Sequence, residues 1–294
     1  MNITATRFAT KTRTWLLIAG LTGLLIAIGG VIGGSALYLF VALAVLMNVV
    51  GYWFSDKLAL RASRAQPVEP GTLPEIEAMV QDLAHRAEVP LPRLYLVPSE
   101  QPNAFATGRN PKHAAVAVTQ GLLQYLPPDQ VKGVLAHEFG HIKNRDILVS
   151  SIAAMVAGAI SAIANILQFS LFFGGSDEDN GPLGLIGVLA TVILAPIGAA
   201  LLQLAVSRQR EYLADATGAQ LLGRAAPLAN ALETLDRGAQ ALPMNVNPAT
   251  ASLYAVNPLP RRGVATLFMT HPPLAERIRR LRAFDGENAV RLVA

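Results

Sequence analysis

Two histidines and a glutamate in the pentapeptide HEFGH, at positions 137–141, stand at a spacing that suits a metal ion. Residues four positions apart lie one turn apart on the same face of a helix, so His137 and His141 can hold one Zn²⁺ ion from adjacent corners of a tetrahedron. Glu138 lies beside that face, where its carboxylate can take a proton from water at the metal and pass it to a leaving amine. The pattern predicts a catalytic zinc site that hydrolyses peptide bonds.

The alternative interpretation is a core helix whose two histidines only cover its solvent side. Val131, Val134 and Leu135 make the same stretch apolar. Two imidazoles and a carboxylate turned toward such a core are costly without a partner. A shared zinc ion is the partner that removes this cost, so we expect one here.

Catalytic zinc needs a third protein ligand and an open position. The chain has no cysteine, so the ligand must be a histidine or a carboxylate. His85 and His113 stand among charged residues, which is typical of the surface. Glu211 is the better candidate, because it directly follows an apolar block, just as HEFGH directly precedes one.

Asp215 lies four residues after Glu211, on the same helix face. Its carboxylate can accept a hydrogen bond from a ligand histidine and so fix the tautomer of the ring. Spacing alone leaves a second interpretation open, in which both carboxylates belong to a solvated face with Arg208 or Arg210 as their partner.

The elements that must position these side chains follow from periodicity and turn residues. A helix over 130–144, capped by Asp129, carries HEFGH, and a helix over 75–87 has one apolar face. The remaining elements are short strands over 94–97, 103–107 and 114–119 and a short helix over 120–126.

The rest of the chain is too apolar for one water-soluble globule. Of its 294 residues 52% are hydrophobic and only 15% are charged, against about 25% charged in ordinary soluble domains. Each apolar block is long enough to cross a bilayer, and the first is too long for a cleaved signal peptide. The four apolar blocks run roughly over 15–32, 36–54, 147–173 and 183–206.

Charge sets the expected orientation of these segments. Lysines and arginines flank the blocks on one side, whereas the loop between the third and fourth blocks holds Asp177, Glu178 and Asp179 and no basic residue. The net charge of +4 therefore indicates cytoplasmic flanks beside a lipid bilayer and no nucleic-acid partner. The expected parts are 1–55 and 147–206, each with a membrane hairpin, and 56–146 and 207–294, the two cytoplasmic catalytic parts.

HEFGH with the following Asn144-Arg145-Asp146, the segment REYLAD at 210–215 and THPPLAER at 270–277 together resemble the HtpX family of membrane metalloproteases. More broadly they resemble its relatives, the CAAX prenyl endopeptidases. The resemblance covers nearly the whole chain. It implies a mainly α-helical membrane protein with four transmembrane helices and a cytoplasmic α+β, zincin-like catalytic domain with a small β-sheet.

The same resemblance implies a gluzincin-type zinc endopeptidase of the bacterial inner membrane, with one catalytic Zn²⁺. Its substrates would be misfolded or damaged membrane proteins that arise after heat or envelope stress. Other membrane proteases or quality-control proteins would be its partners. His137, His141 and Glu211 match the zinc ligands, Glu138 the base, and Asp215 the carboxylate behind a ligand histidine.

The resemblance also implies further site residues. The stretch 102–106 matches an edge strand that lines the substrate cleft, where a peptide can add through backbone hydrogen bonds and Asn103 can hold a substrate carbonyl. The residues expected to contact substrate there are Asn103, Ala104, Phe105 and Ala106.

His271 and Arg277 match positions that stabilise the oxyanion in the prenyl-protease relatives. The alternatives are that His271 only precedes a helix and that Arg277 belongs to an exposed basic face with Arg279 and Arg280. The segment 238–264 is poor in charge and suits a flap near the cleft.

Two other functions compete with a quality-control protease. A prenyl-protein processing enzyme would use the same chemistry, but four spans are few for a chamber around a lipidated substrate. A non-enzymatic transporter or scaffold would usually show polar or broken spans, whereas the apolar blocks here carry only scattered polar residues such as Asn48 and Asn165.

Overall fold

The architecture described here is that of a computed structural model. The structure describes residues 34–152, 208–241, 253–256 and 272–293, together with isolated positions in the first apolar block. Apart from these isolated positions, the first predicted membrane segment lies outside this part, as do the fourth and the third beyond residue 152. The elements in chain order are α1 (Ala36–Ala62), β1 (Gln66–Pro67), α2 (Pro74–Ala87), β2 (Arg93–Val97), β3 (Ala104–Thr107), β4 (Ala115–Thr119), α3 (Gln120–Tyr125), α4 (Pro128–Asn144), α5 (Arg208–Leu222), α6 (Ala226–Ala241) and α7 (Leu274–Val293).

A small mixed sheet supports the site from one side. Its strand order is β1-β2-β4-β3, with β2 parallel to β4 and the other neighbours antiparallel. β4 is buried along its whole length because helices cover one face and the end of α1 covers the other. The three extended segments that the sequence predicts are confirmed as β2, β3 and β4, and β3 lies at the edge of the sheet.

Helix α4 is the central element and carries HEFGH. It begins at Pro128 after Pro127, so the expectation of an Asp129 cap is wrong, and Asp129 lies in the first turn instead. The rigid φ of proline suits the first helical position, where no amide hydrogen bond is lost. At the other end Arg145 adopts a left-handed conformation with φ of 62°, which terminates the helix.

Helices α4 and α5 touch through their backbones. A Cβ placed on Gly140 would lie 2.7 Å from the carbonyl oxygen of Ala214, and one on Gly218 would lie 3.0 Å from the backbone of Ala136. Only glycine permits this approach, because any side chain would push the two helices apart. The contact brings HEFGH against REYLAD, although some 70 residues separate them in sequence.

Helix α1 contains the whole second apolar block, residues 36–54. Its last turns place Ala59 and Leu60 on the sheet, against Phe105. Farther toward its start, large apolar side chains are exposed, among them Tyr38 at 77% and Leu39 at 67%. Among the helices of the described part of the chain, none reaches the combined length and apolar character that a membrane span requires.

Candidate metal centre

Three side chains from two helices converge where α4 crosses α5. The Nε2 atoms of His137 and His141 lie 3.1 Å apart. The carboxylate of Glu211 places one oxygen 3.7 Å from Nε2 of His137 and the other 3.5 Å from Nε2 of His141. All three donor groups lie within 4.8 Å of one another.

These distances fit a zinc ion. Ligand atoms about 2.0–2.1 Å from a tetrahedral centre are separated from one another by roughly 3.3–3.4 Å. The measured separations of 3.1, 3.5 and 3.7 Å bracket this value. Two imidazoles and one carboxylate are also a donor set of catalytic zinc, because they leave a fourth position open.

A carboxylate behind each histidine fixes which ring nitrogen faces the centre. Nδ1 of His137 donates to Asp215 over 2.9 Å, and Nδ1 of His141 donates to Asp146 over 3.1 Å. Each Nε2 is therefore free of its proton and available to a metal when the ring is neutral. The sequence predicted this arrangement for Asp215 only.

Asp146 is the residue that sequence reasoning missed. It is buried and follows directly after the left-handed Arg145, which turns the chain back so that the Asp146 amide donates to the carbonyl of His141. In the sequence it belongs to the stretch Asn144-Arg145-Asp146, which carries part of the family resemblance without an assigned role. A carboxylate about one turn beyond the second histidine, at the end of the helix, is the sequence pattern that could have identified Asp146.

The pKa values of the two histidines are shifted in opposite directions. Burial and the nearby guanidinium of Arg277 lower the pKa of His137. Burial also disfavours charge on His141, but the carboxylates of Asp146, Glu211 and Glu138 outweigh it and raise the pKa of His141 to about 10. Without a metal the centre therefore holds a proton on His141 near neutral pH.

Arg277 lies at the bottom of the site and is fully buried. Its guanidinium donates to both oxygens of Asp215 over 2.7 and 2.8 Å, and lies 3.5 Å from Glu211. Although burial alone would raise the pKa of Asp215, this pairing lowers it to about 2. The alternative that placed Arg277 on an exposed basic face is wrong, whereas Arg279 and Arg280 do lie on the surface.

Glu138 lies beside the three donor groups without joining them. Its side chain is buried, and burial raises its pKa to about 7. The backbone amide of Ala106 on β3 interacts with the carboxylate. A carboxyl group with a pKa near the working pH is suited to both accepting and returning a proton.

The remaining expected residues lie in three places. Asn103 is buried directly before β3, and Ala104, Phe105 and Ala106 are buried residues of β3 at the sheet edge. His271 lies outside the described residues. His85 and His113 are exposed, as expected, and neither belongs to the cluster of His137, His141 and Glu211. Glu211 and Asp215 are buried at 4% exposure each, so the interpretation that put them on a solvated face is wrong.

Comparison with known proteins identifies the family. The family model "Peptidase family M48" matches residues 70–285, which include every side chain of the centre. This chain belongs to peptidase family M48. As an M48 peptidase it is a zinc-dependent metalloprotease that acts on proteins.

Curated relatives match the M48 peptidase over most of its length. A "Protease HtpX homolog" of Syntrophobacter fumaroxidans is 53% identical over 277 residues, covering 92% of this chain and 98% of the relative. A second "Protease HtpX homolog", of Pelotomaculum thermopropionicum, is 51% identical over 274 residues, covering 92% of this chain and 98% of the relative. Similarity at this level confirms the resemblance to the HtpX family and supports a membrane zinc endopeptidase.

Among solved structures, the crystal structure of S. mikatae Ste24p shares the fold with a TM-score of 0.50. The identity is 20%, and the match covers 94% of this M48 peptidase and 67% of the other chain. The likeness confirms a mixed fold of helices with a small sheet.

Proposed function

We propose that this M48 peptidase is a multi-pass protein of the bacterial inner membrane that hydrolyses misfolded or damaged membrane proteins from the cytoplasmic side. The observation that carries the proposal is the convergence of His137, His141 and Glu211 within 4.8 Å, with the Glu138 carboxylate beside them. We assign the first three as zinc ligands and Glu138 as the base.

The chemistry follows from these positions. A bound zinc ion acts as a Lewis acid and makes water a nucleophile near neutral pH. Glu138 removes the proton of the attacking water and returns it to the leaving nitrogen of the peptide bond. Asp215 and Asp146 hold the histidine rings in place, and Arg277 holds Asp215.

The proposed substrate class follows from the position of β3. This strand has a neighbour in the sheet on one side only, and its Ala106 amide contacts the Glu138 carboxylate. A peptide that adds to such an edge is held through main-chain hydrogen bonds, which recognise an extended chain with little regard to sequence. Unfolded segments offer such chains, whereas folded proteins do not.

Four membrane-spanning helices are part of the proposal. The four apolar blocks contain no charged residue over roughly 18 or more positions each. The exposed Tyr38, Leu39, Val45 and Leu46 on α1 suit lipid rather than water, because contiguous apolar surface of this kind is rare on water-soluble monomers. The basic flanks of the apolar blocks favour a cytoplasmic position for the catalytic parts.

The test compares wild type with Glu138→Gln, each purified in detergent. Wild type should contain one zinc ion and cleave casein, and a chelator should abolish cleavage until zinc is restored. Glu138→Gln should retain zinc but lose about 10²- to 10⁴-fold in rate, the usual worth of a general base. Glu75→Gln, an exposed change on α2, serves as the control that alters neither quantity.

The ligand assignment has its own measurement. Glu211→Ala removes one of three protein donors, so its zinc content should fall well below that of wild type. Zinc content equal to wild type by elemental analysis would remove Glu211 from the ligand set. Undiminished cleavage by Glu138→Gln would likewise remove Glu138 as the base.

A further inference from the structure

Residues 253–256 lie along the open edge of β3. The amide of Ala255 donates to the carbonyl of Ala104 over 2.9 Å. One residue earlier, the ring of Tyr254 packs edge-on against Phe105 with 5.0 Å between centroids. The partners run in opposite directions along the two segments, so 253–256 lies antiparallel to β3 as an added strand would.

Asn103 holds the next residue of this segment by its side chain. Its Nδ2 donates to the carbonyl of Val256 over 2.7 Å, and its Oδ1 accepts from the amide of Val256 over 3.3 Å. A carboxamide that pairs with both main-chain groups of one residue recognises peptide backbone irrespective of side chain. Asn103 is fully buried under this contact.

The segment also covers the metal centre. The cavity between them has a volume of about 20 Å³ and is lined by Glu138, His141 and Glu211 on one side and by residues 253–255 on the other. A single water molecule needs roughly 10–15 Å³ by the same kind of measure. The space therefore admits water but no residue of a substrate peptide.

Arg277 also donates a hydrogen bond to the backbone of residues 253–256. Its Nη1 donates to the carbonyl of Ala255 over 3.1 Å. This is the side chain that the sequence resemblance assigns to the oxyanion of the substrate. While Ala255 stays in place, this donor is engaged by the chain's own backbone.

We infer that residues 253–256 are an internal occupant of the substrate groove, and that an extended substrate strand must displace them to pair with β3 and reach Glu138. The inference rests on the proposed function, because it takes the edge of β3 as the substrate groove. It predicts that the groove is competent only in the fraction of molecules in which the segment has left. The apparent affinity for substrate is lowered by that same fraction.

A reversible lock tests the inference. Because the chain contains no cysteine, Phe105→Cys with Tyr254→Cys introduces the only two thiols, at facing positions of antiparallel segments where a disulfide can form. The oxidised protein should lose at least about tenfold in casein cleavage, and reduction should restore the rate. Each single variant should be indifferent to oxidation. Equal rates for the oxidised and reduced double variant would overturn the inference.

A second variant loosens the segment instead. Ala255→Pro removes the amide that donates to Ala104, whereas Ala255→Gly keeps it. Ala255→Pro should lower KM for casein about threefold or more relative to Ala255→Gly, with zinc content unchanged. An equal or higher KM for Ala255→Pro would contradict the inference that residues 253–256 occupy the substrate groove.

Hydrogen exchange gives a readout that does not depend on turnover. In Glu138→Gln protein with bound zinc, saturating casein should accelerate exchange of the amides at 255 and 256, because the displaced segment loses its partners on β3. Unchanged protection in the presence of casein would contradict displacement. Failure of the proposed function is recognised separately, since wild type would then cleave no casein at all.

Discussion

At the scale of single residues, each histidine of the proposed zinc site has its own buried carboxylate. Asp215 serves His137 and comes from α5, whereas Asp146 serves His141 from just beyond the end of α4. Such partners orient the imidazole and increase its basicity toward the metal. The two carboxylates are themselves held differently, because only Asp215 is paired with Arg277.

We predict that Asp146→Ala weakens zinc binding by about 10- to 100-fold, the usual effect of removing such a partner. Asp146→Asn keeps an acceptor for the His141 ring and should fall between this variant and wild type. Competition with a chromogenic chelator measures the affinity. Asp129→Asn, an exposed change in the first turn of the same helix, should bind zinc as wild type does, and affinity equal to wild type in Asp146→Ala would refute the assignment.

Zinc binding should also release protons. With a pKa of about 10, His141 is charged in the metal-free protein at pH 8, whereas a zinc ligand must be neutral. Binding at pH 8 should therefore release about one proton per ion, and affinity should rise with pH up to about 10. Calorimetry in buffers with different ionisation enthalpies counts the protons, and a count of zero would contradict the charged state.

At the scale of the elements, the proposed zinc site depends on two helices that approach more closely than side chains would allow. Gly140 directly precedes the second histidine, His141, on α4 and lies against Ala214 on α5. The same crossing sets the distance between His141 and Glu211. The separation of α4 and α5 therefore determines the geometry of the proposed zinc site.

We expect Gly140→Ala to destabilise the protein by about 1–3 kcal/mol, as overpacking of a close contact does, and to lower its zinc content. The new methyl group meets backbone at 2.7 Å, which cannot rotate away. Gly30→Ala is the matched control, since a Cβ there meets no atom within 4 Å. Melting temperature and elemental analysis report the two effects. A fully zinc-loaded Gly140→Ala protein of normal stability would disprove the coupling.

The sequence predicts correctly those elements whose residue pattern lies within a few consecutive positions. The four-residue spacing of His137 and His141 predicts their common face on α4, and the turn residues at 108–111 between two extended stretches predict β3 and β4. The start of α4 was misjudged because Asp129 resembles a cap, whereas Pro127 and Pro128 already begin the helix.

Contacts between distant segments were beyond that reasoning. Nothing in the sequence near 253–256 indicates that it lies on β3, because an antiparallel backbone contact leaves no residue pattern of its own. The pairing of Arg277 with Asp215 was likewise hidden among several arginines of α7. Only the tertiary structure separates the buried arginine from its exposed neighbours.

At the scale of the whole molecule, the distribution of charge around the apolar blocks predicts an orientation in the bilayer. The expectation is that the loop around Glu178 faces away from the cytoplasm and that the catalytic parts face into it. The absence of natural cysteines makes single introduced thiols unambiguous reporters.

In intact bacterial spheroplasts, Glu178→Cys should react with a membrane-impermeant maleimide. Lys112→Cys, which is exposed beside β4, should react only after lysis. Both should react equally once the membrane is opened, which controls for accessibility. The reverse pattern in spheroplasts would invert the proposed orientation.

The glycine contacts between α4 and α5 have one more consequence. The proposed zinc ligands come from two stretches of chain, before residue 147 and after residue 207. A shared apolar core that includes Leu135 and Leu232 holds these stretches together. An unbroken chain between residues 152 and 208 is then not required to hold the two stretches together. Two gene fragments split between 174 and 182, translated separately in one cell, should find each other and rebuild a working enzyme.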